Sequence, residues 1–120
     1  MLFKALLKEL VTKTEDAEGA IFLDREGEAV DWYAHGDGER LRLRAAYLAV
    51  VFHACRTSVS SMELGQIRYL SMEYDGAVFV MADLEGDYFF VLELSYFANV
   101  AQALFRIQPT LAALRREIAA

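Results

Sequence analysis

Cysteine, proline and long apolar runs are all scarce in this sequence. Cys55 is the only cysteine among 120 residues, which excludes an internal disulfide and gives no sign of a secreted scaffold. Pro109 is the only proline, and no linker or low-complexity segment is visible. No segment reaches the roughly 18 apolar residues of a membrane span, and the charged N-terminal segment does not resemble a signal peptide. These absences and the length predict a cytoplasmic protein with one domain over residues 1–120 and no direct membrane insertion.

Positive charge is also in short supply. The chain has 12 Lys and Arg against 18 Asp and Glu, which gives a net charge of −6. Nucleic acids and anionic membranes bind cationic faces, so both are disfavoured as partners. The apolar fraction, by contrast, is high at 56%, and we expect some of this apolar surface to be hidden against another protein.

Hydrophobic periodicity predicts an α+β fold of eight elements in the order αββαβββα. Asp37 is the predicted N-cap of the middle helix and Ser95 that of the last helix. Pro109 falls inside the last helix, where it predicts a kink or a break near Gln108. The predicted helices cover residues 2–13, 39–56 and about 97–118, and the predicted strands cover residues 20–23, 28–34, 65–73, 77–82 and 88–92.

The apolar character of the strands predicts their order in the sheet. Short turns join strands 1–2, 3–4 and 4–5, so these pairs are expected to be antiparallel hairpins. Strands 1, 4 and 5 are apolar on both faces, whereas strands 2 and 3 alternate and are expected at the edges. The resulting five-stranded antiparallel sheet has the order 2-1-5-4-3, with the middle helix on one face and the two terminal helices on the other.

The middle helix carries more apolar surface than one sheet can cover. Ten of the eleven residues 45–55 are apolar, and eleven residues sample every direction around a helix axis. Because both terminal helices are assigned to the other face, the simplest cover is the same helix of a second copy, with the two copies of strand 3 paired edge to edge. The alternative is a helix that is central within one chain. The predicted dimer interface contains Tyr47, Val50, Val51 and Ala54, with Ile67 and Tyr69 on strand 3.

Sequence patterns for phosphate and metal binding are weak. The segment 36–38 has two glycines, but no Gly-Lys-Ser or Gly-Lys-Thr pattern accompanies it, which indicates a loop and a helix cap rather than a phosphate cradle. His35, Asp37 and Glu39 lie around a strand-to-helix loop in which side chains diverge, so a metal site is disfavoured. No cofactor is expected.

The middle helix also carries the residues with most potential for catalysis. His53 and Cys55 are two positions apart, which points their side chains about 200° apart and prevents a nucleophile–base pair. The first turns of this helix carry Arg40, Arg42 and Arg44, for which an arginine finger in phosphoryl transfer is one hypothesis and a solvated helix start is the other. Arg40, Arg44 and His53 are therefore treated as partner-facing candidates, and the chain is not expected to be an enzyme.

Several segments resemble the Roadblock/dynein light chain family, including its bacterial MglB-like proteins. The matching segments are 18–27, Leu64-Gly65, 86–92 and 98–101. The resemblance implies a single Roadblock-like domain, a homodimer through the middle helix and strand 3, and a role as scaffold or regulator of Ras-like small GTPases. MglB-like members promote GTP hydrolysis by their partner. The family often has an arginine in the first turns of the last helix, whereas this chain has Asn99–Ala103 there, which leaves GTPase activation open.

The sequence therefore predicts a homodimeric, non-catalytic binding module that scaffolds or regulates a Ras-like small GTPase, with GTPase activation as one form of that role. A small-molecule sensor is one alternative, since compact αβ domains of this size can hold a ligand between helix and sheet. The other alternative is a general dimerisation adaptor without a GTPase partner.

Overall fold

A computed structural model describes residues 2–120. It confirms the predicted order of eight elements, αββαβββα. The elements are α1 (Leu2–Lys13), β1 (Ala17–Leu23), β2 (Ala29–Ala34), α2 (Gly38–Ser60), β3 (Tyr69–Glu73), β4 (Val78–Leu84), β5 (Tyr88–Leu94) and α3 (Val100–Ala119).

The five strands form one antiparallel sheet in the predicted order β2-β1-β5-β4-β3. The central strands β1, β4 and β5 are buried on both faces over most of their length. The edge strands β2 and β3 remain partly exposed. The continuous apolar runs of the sequence thus mark the strands that have a helix layer on each side.

Alternate residues of each central strand enter one of two separate cores. Phe22, Phe90 and Leu92 lie on the face covered by α1 and α3. Met81, Phe89 and Val91 lie on the opposite face, which α2 covers through residues such as Phe52. This confirms the predicted placement of the middle helix on one face and the terminal helices on the other.

The largest boundary differences in the middle of the chain are at the end of α2 and the start of β3. Helix α2 continues to Ser60 rather than ending near Arg56. The hydroxyls of Thr57 and Ser60 donate hydrogen bonds to carbonyls of the preceding turn, so these polar residues continue the helix instead of breaking it. Strand β3 begins at Tyr69 rather than Gly65, because the chain passes through positive φ angles at Glu63 and Gly65 before it becomes extended.

The start of α3 also differs from the prediction, and the helix is not broken at its proline. Asn99, not Ser95, is the N-cap, and its side chain accepts a hydrogen bond from the Gln102 amide at 3.0 Å. Of the predicted kink or break near Gln108, a break does not occur, because the helix is continuous through Pro109 to Ala119. Proline removes one amide donor, and the carbonyl that loses it belongs to Phe105, which is 75% exposed and open to water.

Candidate interaction surface

Helix α2 is buried on one side only. Leu41, Ala45, Leu48 and Phe52 face the sheet and are almost fully buried. On the outer side, the exposed fractions are 60% for Leu43 and 68% for both Tyr47 and Val50. The apolar run of the middle helix therefore leaves a stripe that this chain does not cover. We call Leu43, Ala46, Tyr47, Val50 and Ala54 the α2 stripe.

A groove continues the α2 stripe toward the β3 edge of the sheet. Helix α2 packs chiefly over β1, β2 and β5, which leaves the β3 side of the same sheet face open. The groove has a volume of about 360 Å³ and is lined by Arg44, Tyr47, Leu48, Tyr74, Gly76, Ala77 and Phe79. In the loop after α2, Met62 and Leu64 are also exposed, at 60% and 73%. This side of the molecule thus combines several large apolar side chains in contact with water.

The structure places most of the predicted interface residues on this side. Tyr47, Val50 and Ala54 are exposed on α2, while Val51 is half-buried beside them. Ile67 is half-buried against the core beneath α2. Leu43, Met62 and Leu64 were not among the predicted residues. For Leu43 the available signal was its position one helical turn before Tyr47.

Tyr69 lies on the other face of the sheet. Its hydroxyl donates a hydrogen bond to Oε1 of Gln108 on α3 at 3.0 Å. Its side chain therefore contacts the terminal-helix layer and not the α2 stripe. Only its backbone, on the edge strand β3, is placed for a contact beyond that edge.

Two ion pairs join α2 to the sheet. Arg44 donates a hydrogen bond to Glu93 of β5 at 3.0 Å, and Arg56 donates one to Asp83 of β4 at 3.1 Å. Burial raises the pKa of both carboxyl groups, and the neighbouring arginines only partly offset this effect. These contacts fix the position of the helix that carries the α2 stripe.

The three partner-facing candidates do not form one cluster. Arg40 and His53 are exposed, whereas Arg44 is half-buried and engaged with Glu93. Thirteen residues of helix separate Arg40 from His53, or roughly 20 Å along the axis. His53 instead borders a pocket of about 300 Å³ that has both charged and apolar walls, with Asp24, Arg25, Arg56 and Asp87 on the charged part and Ala49, Phe52 and Phe89 on the apolar part.

Within residues 2–120, no group of three or more His, Cys, Asp or Glu side chains is arranged to hold a metal ion. Cys55 is a free, half-buried cysteine. In the same part of the chain, every helix is too short or too polar to cross a bilayer.

Comparison with known proteins identifies the fold. The sequence matches no family profile and no curated protein. The Roadblock/LC7 domain from Streptomyces avermitilis has a TM-score of 0.88 at 14% identity, with 98% of each chain covered. Myxococcus xanthus MglB has a TM-score of 0.86 at 13% identity, covering 99% of this chain and 96% of that one. The gliding protein MglB from Thermus thermophilus has a TM-score of 0.81 at 16% identity, covering 93% and 84%. The chain therefore has the Roadblock/LC7 fold, as its sequence motifs imply.

Proposed function

We propose that this protein is a homodimeric, non-catalytic binding module that scaffolds or regulates a Ras-like small GTPase. The observation that carries the proposal is the uncovered α2 stripe, where Tyr47 and Val50 are each 68% exposed in a single chain. Apolar patches of this kind mark protein–protein contacts. The sheet beneath α2 holds the exposed side chains of the α2 stripe on a rigid support.

A second copy of the chain is the proposed cover for the stripe. Ala46 and Ala54 are small, so two α2 helices can approach each other closely around Tyr47 and Val50. Moving a valine or leucine side chain from water into such a contact stabilises it by about 1.5–3 kcal/mol. A two-fold axis makes each favourable contact occur twice, which favours a closed pair.

The β3 edge is the second proposed contact between the copies. The amide of Asp83 donates to the Arg68 carbonyl, and the amide of Tyr74 donates to the Ala77 carbonyl. Because partners alternate along an antiparallel pair, the peptide groups of Tyr69, Ser71 and Glu73 point away from β4. Two such edges related by a two-fold axis can complete each other's hydrogen bonds. In this arrangement Ile67 and the backbone of Tyr69 lie near the contact.

The proposed external partner is a Ras-like GTPase. The sequence motifs resemble a family that regulates such GTPases, and two of the structures with this fold are MglB proteins. Paired α2 helices would present Arg40 and His53 beside the covered stripe. Arg44 is the least available of the three candidates, because Glu93 holds its guanidinium.

Binding to nucleotide-loaded GTPases tests the partner. Ras-like GTPases from the same cell, loaded with GDP or a non-hydrolysable GTP analogue, are immobilised and exposed to the purified protein. Preferential retention on the GTP-analogue form supports the proposal, and faster phosphate release would show the activating form of it. A stable dimer that binds none of them indicates a general dimerisation adaptor instead. A retained metabolite in native mass spectrometry would favour the sensor alternative.

A further inference from the structure

We infer that Lys4 and Asp31 close the β2 edge of the sheet against the addition of another strand, so that only the β3 edge accepts one. The inference concerns the opposite end of the sheet from the proposed dimer contact. It rests on the proposed pairing at the β3 edge but not on a GTPase: the mass of the wild-type protein tests that pairing, whereas variants at Lys4 and Asp31 test the β2 edge.

The hydrogen-bond pattern shows which groups of β2 face outward. The His35 amide donates to the Glu18 carbonyl at 2.9 Å, which makes this pair hydrogen-bonded within the β1–β2 ladder. Because such pairs alternate with non-hydrogen-bonded ones, the amides and carbonyls of Trp32 and Ala34 point away from β1. These are the groups that an added strand would use.

Both outward groups of Trp32 are already occupied by side chains. Its amide donates a hydrogen bond to Oδ1 of Asp31 at 2.9 Å, and its carbonyl accepts one from Nζ of Lys4. The same Nζ lies 3.0 Å from Oδ1 of Asp31, so a single ion pair occupies both the amide donor and the carbonyl acceptor of Trp32. The Asp31 side chain is only 15% exposed, which places this pair against the surface of the edge.

Other features of β2 act in the same direction. The register shifts between Phe22 and Leu23, opposite Val30, and such a bulge interrupts the regular edge that a partner strand requires. The Trp32 ring has Lys4 at 5.1 Å from its centroid and the Arg42 guanidinium at 4.8 Å. Cations from α1 and α2 therefore converge on the middle of this edge, and charged side chains on an edge oppose strand pairing.

The β3 edge has no comparable protection. Among residues 2–120, no side chain bonds to the outward peptide groups of Tyr69, Ser71 or Glu73. A sheet with two open edges can extend without limit, since each added copy offers a new edge. A sheet with one open edge stops after one pairing. By closing the β2 edge, the Lys4–Asp31 pair thus limits edge-to-edge pairing between copies of the chain to a single contact.

The test uses Lys4→Met, Asp31→Ala and the double variant, with Lys13→Met as the matched control. Lys13 is on the same helix, pairs with Glu9 at 3.3 Å and carries the same charge, but lies away from the edge. We expect the mass measured by light scattering to rise with concentration to at least twice the wild-type value in the double variant. Asp31→Asn keeps an acceptor for the Trp32 amide and is expected to have a smaller effect. Wild-type mass in the folded double variant, or the same increase in Lys13→Met, would overturn the inference.

Hydrogen exchange of the wild-type protein decides the matter if the double variant does not fold. The Trp32 amide should exchange several-fold more slowly than the Ala34 amide, because only the first has an acceptor at the edge. Equal exchange rates for the two amides would overturn the inference without any variant.

Discussion

Nη1 of Arg44 and Oε2 of Glu93 lie 3.0 Å apart and join α2 to β5 next to the groove beside the α2 stripe. The Glu93 side chain is only 14% exposed, whereas that of Arg44 is 42% exposed. Burial raises the pKa of the Glu93 carboxyl above its usual value, and the charges of Arg44 and Arg40 reduce this effect without reversing it. The pair therefore orients α2, but the ionised carboxylate is not a source of net stability.

This pKa shift predicts a pH dependence of folding. A raised pKa means that the folded protein favours protonated Glu93, so its contribution to stability is present below the pKa of the unfolded chain and is lost as pH rises through the folded value. A glutamine at this position does not titrate, so the variant does not lose stability in this way as the pH rises. Glu93→Gln should therefore compare more favourably with the wild type at about pH 7 than at about pH 4 in urea unfolding. A difference in unfolding free energy that is constant with pH would contradict this, and Glu26→Gln, an exposed position, controls for the lost charge.

Val50→Asp tests the α2 stripe. Val50 is 68% exposed in one chain, so a carboxylate there leaves the core of the single chain intact. In the proposed dimer the carboxylate would be buried without a partner, at a cost of about 3 kcal/mol, or on the order of a hundredfold in dimer affinity. Sedimentation should show monomer with unchanged circular dichroism. The control is Val30→Asp, the same change at an exposed valine on β2, and a Val50→Asp protein of wild-type mass would refute the interface.

Close packing between β1 and α2 predicts a large effect at one glycine and none at another. A Cβ on Gly19 would lie 2.9 Å from Cδ2 of Leu41 and 3.2 Å from the Tyr33 carbonyl oxygen. Gly19→Ala should therefore lower the free energy of unfolding by about 1–3 kcal/mol, because the Leu41 side chain must move and the Tyr33 carbonyl of β2 must also give way. Gly36→Ala meets no atom within 4 Å and should leave stability nearly unchanged. Equal denaturation midpoints for the two variants would show that α2 is not packed as described.

Arg40 provides a test of the GTPase surface. Arg40 is exposed at the start of α2. The variant Arg40→Glu, which reverses this charge, should weaken binding to the proposed GTPase on the order of tenfold, mainly by lowering the association rate. Arg106→Glu makes the same charge change on α3, on the opposite side of the sheet, and should not alter binding. The variants are compared by surface plasmon resonance at low and high salt. Equal affinities for the two variants would remove Arg40 from the partner surface.

Sequence patterns were sufficient for the order of the strands and insufficient for the ends of several elements. The continuous apolar runs of β1, β4 and β5 predicted which strands are central, because burial on both faces leaves no polar alternation. The end of α2 was wrong since hydroxyls such as Thr57 bond either to a loop or to the helix itself, and composition does not distinguish the two. The cap of α3 was wrong because the Ser95 amide is held by the Asp16 carbonyl, a contact 79 residues distant along the chain.

The candidate surface was predictable in outline from the excess of apolar residues in α2. The residues of α2 that face outward were harder to predict, because in an apolar run without polar positions nothing marks which side of the helix faces water. Leu43 was missed for a different reason: it lies between Arg42 and Arg44, before the apolar run begins. The orientation of Tyr69 depends on the register of β3 with β4, which pairs it with Ala82 and turns its side chain toward α3. Register is a property of the whole sheet, so no local pattern reveals it.

The mass of the wild-type protein in solution tests the central proposal most directly. Sedimentation equilibrium over a dilution series should give twice the 13.5 kDa of one chain if a second copy covers the α2 stripe as proposed. A well-folded protein with the mass of a single chain at every concentration would contradict the account, since Tyr47 and Val50 would then remain exposed without a twin to cover them.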